Sequence, residues 1–143
     1  MIKIRPNFDL REFVPPSVYD RFGARSRWFL DPRMLDLAQF YRDWFDSPVT
    51  VNNWHRGGKY TERGFRLPNT DTGASLSQHK FGRAFDCTIE GYTADEVRQI
   101  ILDNEETFIN AGLTTLESGE YAPTWVHSDL RSHKHERILI VSP

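Results

Sequence analysis

The chain has 143 residues, of which 38% are hydrophobic, 13% aromatic and 27% charged, with a formal net charge of −2 at pH 7. These values fit one globular domain with an aromatic-rich core, and they exclude a disordered polyelectrolyte or a chain dominated by membrane spans. The balanced charge also lacks the broad positive field of non-specific nucleic-acid binding, so neither nucleic acid nor a membrane is expected as a partner, and a monomer is expected.

The opening, MIKIRPNFDLREFVPP, has no uninterrupted apolar core of the kind a signal peptide carries, so synthesis in the cytosol without export is the expectation. Residues 1–30, with Pro15–Pro16 and several arginines, read as an irregular wrap over the rest of the domain. The first strong periodic signal is LDPRMLDLAQFYRDWFDSP. Asp31 can cap a helix there, Pro32 suits its first turn and Ser47–Pro48 stops it. Met34, Leu35, Leu37, Ala38, Tyr41, Trp44 and Phe45 recur at helical spacing and form a broad apolar stripe. PVTVNNW then alternates as a half-buried strand would, and it leads into a long connection, HRGGKYTERGFRLPNTDTGAS. Connections of that length in small domains usually carry function.

A strand through AFDCTIE follows, then a second helix over TADEVRQIILDNEETFI. Thr93 and Glu96 have capping-box spacing, Val97, Ile100, Ile101 and Phe108 make one apolar face, and Gly112 suits the C-terminal cap. LTTLE, TWVHSDL and RILIVSP read as three more strands. No internal repeat is present. Strands mixed with two main helices, without regular alternation, predict an α+β domain whose helices pack on a mostly antiparallel sheet.

Cys87 is the only cysteine, which excludes an intramolecular disulfide, a zinc finger and an iron–sulfur cluster. In its apolar run it reads as a buried, inert thiol. A metal would need histidine and carboxylate ligands. Five histidines are available: His55, His79, His127, His133 and His135. His133 and His135, in RSHKHER, read as exposed. His79 precedes a turn that can bring it back against Asp86, with Gly82 and Ala84 leaving room for the approach. His127 lies on a strand, with Asp129 on the same face. Two histidines, one carboxylate and an open position form the ligand set of a catalytic zinc. Spacing alone favours separate hydrogen-bonded polar residues beside the core.

Ser77-Gln78-His79-Lys80-Phe81-Gly82-Arg83-Ala84-Phe85-Asp86 resembles the S-x-H-x-x-G-x-A-x-D signature of the zinc D-alanyl-D-alanine carboxypeptidases and L-alanyl-D-glutamate endopeptidases, a group that shares the hedgehog/DD-peptidase fold. Trp125-Val126-His127-Ser128-Asp129 is similar to the second motif of that family, W-x-H-x-D, and the resemblance spans residues 48–131. It implies that Zn2+ is held by His79, Asp86 and His127. It also implies a catalytic glutamate shortly before the last histidine. Thr124 stands where some members carry it, so this chain departs from that subtype and offers Glu117, at a strand end, with Glu120 as the alternative. The family's substrate arginine is matched nearest by Arg56, with Arg63 and Arg66 as alternatives. Ser77 and Asp129 are expected to orient the ligand histidines, and Trp125 to pack in the core. The implied activity is that of a phage-endolysin-like zinc metallopeptidase. It would cut beside a D-amino acid in a peptidoglycan stem peptide or cross-link, acting at the cell wall after release or from a virion. The competing expectation is a non-catalytic zinc-binding module for interaction or assembly on the same fold, which a glutamate beside the metal would argue against.

Overall fold

The computed structural model describes residues 1–143. Two short strands, β1 (Lys3–Arg5) and β2 (Phe8–Asp9), pair antiparallel. Asp9 then caps a 3-10 turn over Leu10–Glu12, accepting the Arg11 N–H while Glu12 accepts the Asp9 N–H in return. Helix α1 (Pro16–Phe22) begins on proline, whose missing N–H would be unpaired in a first turn anyway, and a 3-10 segment covers Gly23–Phe29. Residues 1–30 are therefore not the irregular wrap expected. Phe8, Leu10, Phe13, Val14 and Val18 from this stretch are buried in the main core. Elements of two to seven residues are too short for hydrophobic periodicity to reveal.

Helix α2 (Pro32–Phe45) starts as its sequence predicts, with the Asp31 carboxylate accepting the Arg33 N–H at 2.9 Å. It ends at Asp46, a left-handed residue with φ of 46°. Its buried stripe holds Met34, Leu35, Leu37, Ala38, Tyr41 and Phe45, whereas Trp44 lies at the margin, 42% exposed. The remaining elements are β3 (Val49–Thr50), β4 (Ala84–Ile89), α3 (Ala94–Asp103), α4 (Glu105–Asn110), β5 (Thr115–Glu117), β6 (Val126–Asp129) and β7 (Leu139–Val141). Thr93 caps α3 through the Glu96 N–H at 3.1 Å. The single helix expected over 93–109 breaks at Asn104, whose side-chain amide donates to the Ile100 carbonyl at 2.8 Å. Asparagine competes for backbone groups in this way, and the domain has four helices instead of two main ones. None is long and apolar enough to cross a membrane.

The main sheet has the order β3-β4-β6-β5-β7. Three pairings are antiparallel, but β5 and β7 run parallel, so the sheet is mixed where a mostly antiparallel one was expected. The chain does reverse between β6 and β7. It lands on the far edge of β5, however, and β5 already runs opposite to β6.

Strand alternation gives the sheet two chemically different faces. Phe85, Cys87, Leu116 and Val126 join the apolar core with α2. Tyr41 sits at its centre, its ring edge-on to Phe85 and Phe108, and its hydroxyl hydrogen-bonds Ser128 Oγ at 2.7 Å. Burial pushes the Cys87 thiol well above its ordinary range, which matches the inert role expected. The opposite face carries Asp86, His127, Asp129 and Glu117. Across it runs the long connection after β3, held by the Asp86 N–H to the Arg63 carbonyl and the Phe65 N–H to the Phe13 carbonyl, both at 2.7 Å.

Gly82 joins the turn before β4 to the 3-10 segment. Its φ is 68°, and an added Cβ would lie 1.9 Å from the Phe29 carbonyl oxygen. Gly82→Ala is expected to cost more than about 2 kcal/mol, seen as a lower urea midpoint at unchanged m-value. A loss below about 0.5 kcal/mol would mean that the two backbones can part freely.

Candidate metal centre

His79 lies in a 3-10 turn over Gln78–Phe81, where Ser77 Oγ accepts the His79 backbone N–H at 3.3 Å and Gly82 closes the turn. Ser77 thus orients the histidine through its backbone, not through its ring. The ring is 2% exposed, and its Nδ1 is 2.7 Å from the Gly64 carbonyl oxygen. A carbonyl can only accept, so Nδ1 carries the proton and Nε2 turns a lone pair inward.

Asp86 in β4 stands directly across from His127 in β6. His127 Nε2 meets Asp129 Oδ2 at 2.8 Å, which assigns that nitrogen's proton and leaves Nδ1 facing Asp86. Three ligand atoms converge: His127 Nδ1 is 2.9 Å from Asp86 Oδ1, and His79 Nε2 is 3.2 Å from each of them. All three side chains are buried, and the chain contains no other such group of histidine, cysteine and carboxylate. Lone pairs this close in a desolvated setting repel unless a positive charge lies among them. That charge is either a proton or a metal ion, and the cluster can hold a metal ion.

The protonation directions fit this description. Burial pushes His79 down, keeping it neutral. Burial also opposes a charge on His127, but hydrogen bonds to Asp129 and Asp86 outweigh it and raise the metal-free imidazole to about 9. Asp86 lies well below the usual carboxylate range, because the two histidines overcome its burial. Asp129 is held near 2, as the bonds from His127 and Arg131 overcome the same opposing effect.

Outer groups fix the cluster. Asp86 Oδ2 accepts Arg66 Nη2 at 3.1 Å, and Arg66 Nε donates to the Glu62 carbonyl at 2.8 Å. Asp129 accepts Arg131 through both Nε and Nη2, the latter at 2.6 Å. Leu116 pairs with Ser128, so Glu117 falls beside His127 on the same face of the sheet, as cross-strand neighbours do. Glu117 is half-buried, and burial raises its carboxyl above the ordinary value against the pull of His127. The cluster opens into a cleft of about 560 Å³, lined among others by Arg66, Leu76, Glu117, Tyr121, Trp125 and Arg131.

Several expectations change. Glu120 lies in an exposed turn outside the cleft, while Glu117 lines it. Arg56 is exposed in a separate hollow with His55 and Glu12, because the 3-10 turn over Trp54–Arg56 carries both away from the cluster. Arg63 stacks on Tyr60 with its guanidinium 3.5 Å from the ring centre and does not line the cleft, whereas Arg66 does. Trp125 is not a core residue but part of the cleft wall, its carbonyl held by Arg98 at 3.1 Å. Alternation from His127 could have signalled this. Arg131 had no such signal, since it lies beyond the end of β6. His135 is exposed as expected, whereas His133 is half-buried, its Nε2 donating to the Thr114 carbonyl.

No protein-family model, curated protein or solved structure matches the chain.

Zinc, used as a probe ion, is expected to bind at one equivalent and to release about one proton at pH 7, because the His127 proton must leave. Calorimetry in buffers of different ionisation enthalpy reads that number. His79→Ala should weaken binding by more than about 100-fold, since loss of outer groups alone costs 10- to 100-fold at such sites. In the chelated protein, His127 is raised from the ordinary 6.5. Its proton therefore stabilises the fold fully below about 6.5, and that contribution is lost as pH rises through about 9. Thermal melts should show this alkaline decline without metal and a smaller one with zinc bound.

Proposed function

We propose that the protein is a zinc-dependent peptidase that hydrolyses a peptide bond beside a D-amino acid in peptidoglycan, on a fold of the hedgehog/DD-peptidase type. The observation that carries this reading is the row Asp86–His127–Glu117 across three adjacent strands, with His79 closing the ligand triangle at the floor of an open cleft. Zinc suits the set by chemistry and by size. Two imidazoles and a carboxylate with an open side form a catalytic zinc ligand set, and bonds near 2.0–2.1 Å in a tetrahedron separate neighbouring ligand atoms by about 3.3 Å. The separations here are 2.9 to 3.2 Å. The two sequence motifs that contain these residues support the choice of reaction.

Bound there, zinc would polarise a carbonyl and bring the pKa of a water towards neutrality. The chain supplies the remainder. Glu117 takes the proton of the attacking water and delivers it to the leaving amine, and its raised carboxyl pKa suits both transfers. Asp129 holds His127 in the tautomer that leaves Nδ1 free, while Arg66 engages the outer oxygen of Asp86 so that Oδ1 alone faces the cluster. Leu76, Tyr121 and Trp125 give the cleft apolar walls for a peptide. A carboxylate beside the triangle favours catalysis over the non-catalytic module, which has no use for a proton carrier at that position.

The test is digestion of purified peptidoglycan by zinc-loaded protein, with and without chelator, with the released fragments identified by mass spectrometry. Defined peptides that vanish with chelator are expected, and Glu117→Gln should lower the rate by at least about 100-fold at unchanged zinc content. Zinc-replete protein that releases nothing would end the peptidase reading.

A further inference from the structure

We propose that the surface formed by residues 20–33 and 75–83 docks on an anionic phospholipid bilayer, its arginines and lysine meeting the headgroups while Trp28, Leu76 and Phe81 enter the interface. This holds whether or not the protein is a peptidase.

Local structure sorts these side chains. In the 3-10 segment Gly23–Phe29, residues three apart lie on one side. Ser26 and Phe29 turn inward together. Ser26 is fully buried and donates its hydroxyl to the Val18 carbonyl at 3.3 Å, while the Phe29 ring stacks on Phe65 with centres 5.0 Å apart and meets Phe22 edge-on. Arg21, Arg25, Arg27 and Trp28 are left outside, and all four are exposed. The turn before β4 lies alongside this segment. The Asp31 N–H donates to the Gly82 carbonyl at 3.0 Å, and Lys80 reaches back to the Ser75 carbonyl at 3.1 Å. The two stretches therefore make one surface, which adjoins the cleft at Leu76.

Charge and apolar exposure coincide here. Residues 20–33 and 75–83 contain six of the 18 lysines and arginines but two of the 20 acids, so this surface carries +4 and the remainder of the chain −6. The overall charge of −2 conceals that separation. Of the six cations Arg33 alone is in an ion pair, with Asp31 at 2.6 Å, and Arg83 lies over the Phe81 ring. Trp28 is 77% exposed, Leu76 76% and Phe81 51%. Met1 apart, no other large apolar side chain in the molecule is more than half exposed.

Apolar side chains that stand out together mark a surface that something covers, and unpaired cations around them select a negatively charged partner. An anionic bilayer meets both conditions. Its surface potential draws arginine and lysine towards the headgroups, and an indole settles at headgroup depth with its ring in an apolar layer. A soluble polyanion would satisfy the cations but give Leu76 and Phe81 no apolar medium. Docking in this way would set the mouth of the cleft beside the lipid surface, because Leu76 belongs to both.

The experiment is co-sedimentation of the full chain with vesicles of phosphatidylglycerol and phosphatidylcholine in equal parts, against vesicles of phosphatidylcholine alone and against soluble polyphosphate. Wild type is expected to partition at least about tenfold more strongly onto the anionic vesicles and to come off at about 0.5 M salt. Arg25→Gln/Arg27→Gln should weaken that partitioning about 10- to 30-fold, since each cation near such a surface contributes roughly fivefold. Trp28→Ser should weaken it at least about threefold while leaving its salt dependence in place. Anionic vesicles should also shift the tryptophan emission of wild type to the blue, and Trp28→Phe should abolish the shift. Unchanged thermal melts show that these exposed substitutions leave the fold intact. Folded protein that stays in the supernatant overturns the proposal, as does partitioning that withstands either the double arginine substitution or Trp28→Ser. Equal affinity for polyphosphate with no blue shift on vesicles overturns it too, and makes the surface a site for soluble polyanions.

Discussion

The pairing of Asp86 with His127 across β4 and β6 is the constraint on which the site depends. Two polar side chains held opposite each other, in buried positions of a sheet, must be satisfied there or the sheet loses stability. Everything around them serves that need. His79 closes the triangle, Arg66 takes the second oxygen of Asp86, and Asp129 takes the second nitrogen of His127. The three ligand atoms converge to within 2.9 to 3.2 Å of one another, an arrangement that a proton or a metal ion among them would satisfy.

The sheet can carry such a load because its two faces are kept separate. On one side Tyr41, Phe85 and Phe108 form an edge-on aromatic cluster under α2. On the other, one residue further along each strand, lie the polar groups. Ser128 joins the two layers, since it belongs to β6 between His127 and Asp129 yet turns to the Tyr41 hydroxyl. Packing of α2 thereby fixes β6, and β6 fixes one ligand and the carboxylate that orients it.

Much of this could be read from residue types and their spacing. Helix α2 could, because a proline-led cap and a long stripe leave few other interpretations. His79, Asp86, His127 and Glu117 could too, the first three through two motifs and the last as a carboxylate closing a strand. What spacing does not show depends on particular contacts, most of them between distant segments. The order inside residues 1–30 comes from burial in the shared core, not from periodicity. Asn104 breaks a helix through one side-chain bond that propensity does not foresee. Arg56, the nearest match to the family's arginine by its place after β3, lies in a separate hollow, because the tight turn at Trp54–Arg56 carries it away from the cleft that Arg66 lines. Arg131 escapes because its place at the cleft rests on its bonds to the buried Asp129, a contact that spacing does not show.

Strand β6 is bordered on both sides, by β4 and by β5, and is buried along its whole length. Backbone amides in such a strand exchange with solvent only through the largest opening of the molecule. His127 thus lies in this enclosed strand and Asp86 in the strand beside it, while His79 arrives on a turn. An ion entering the cleft finds a rigid half-site and needs to order little beyond one turn, so its capture is a local event and not a folding transition.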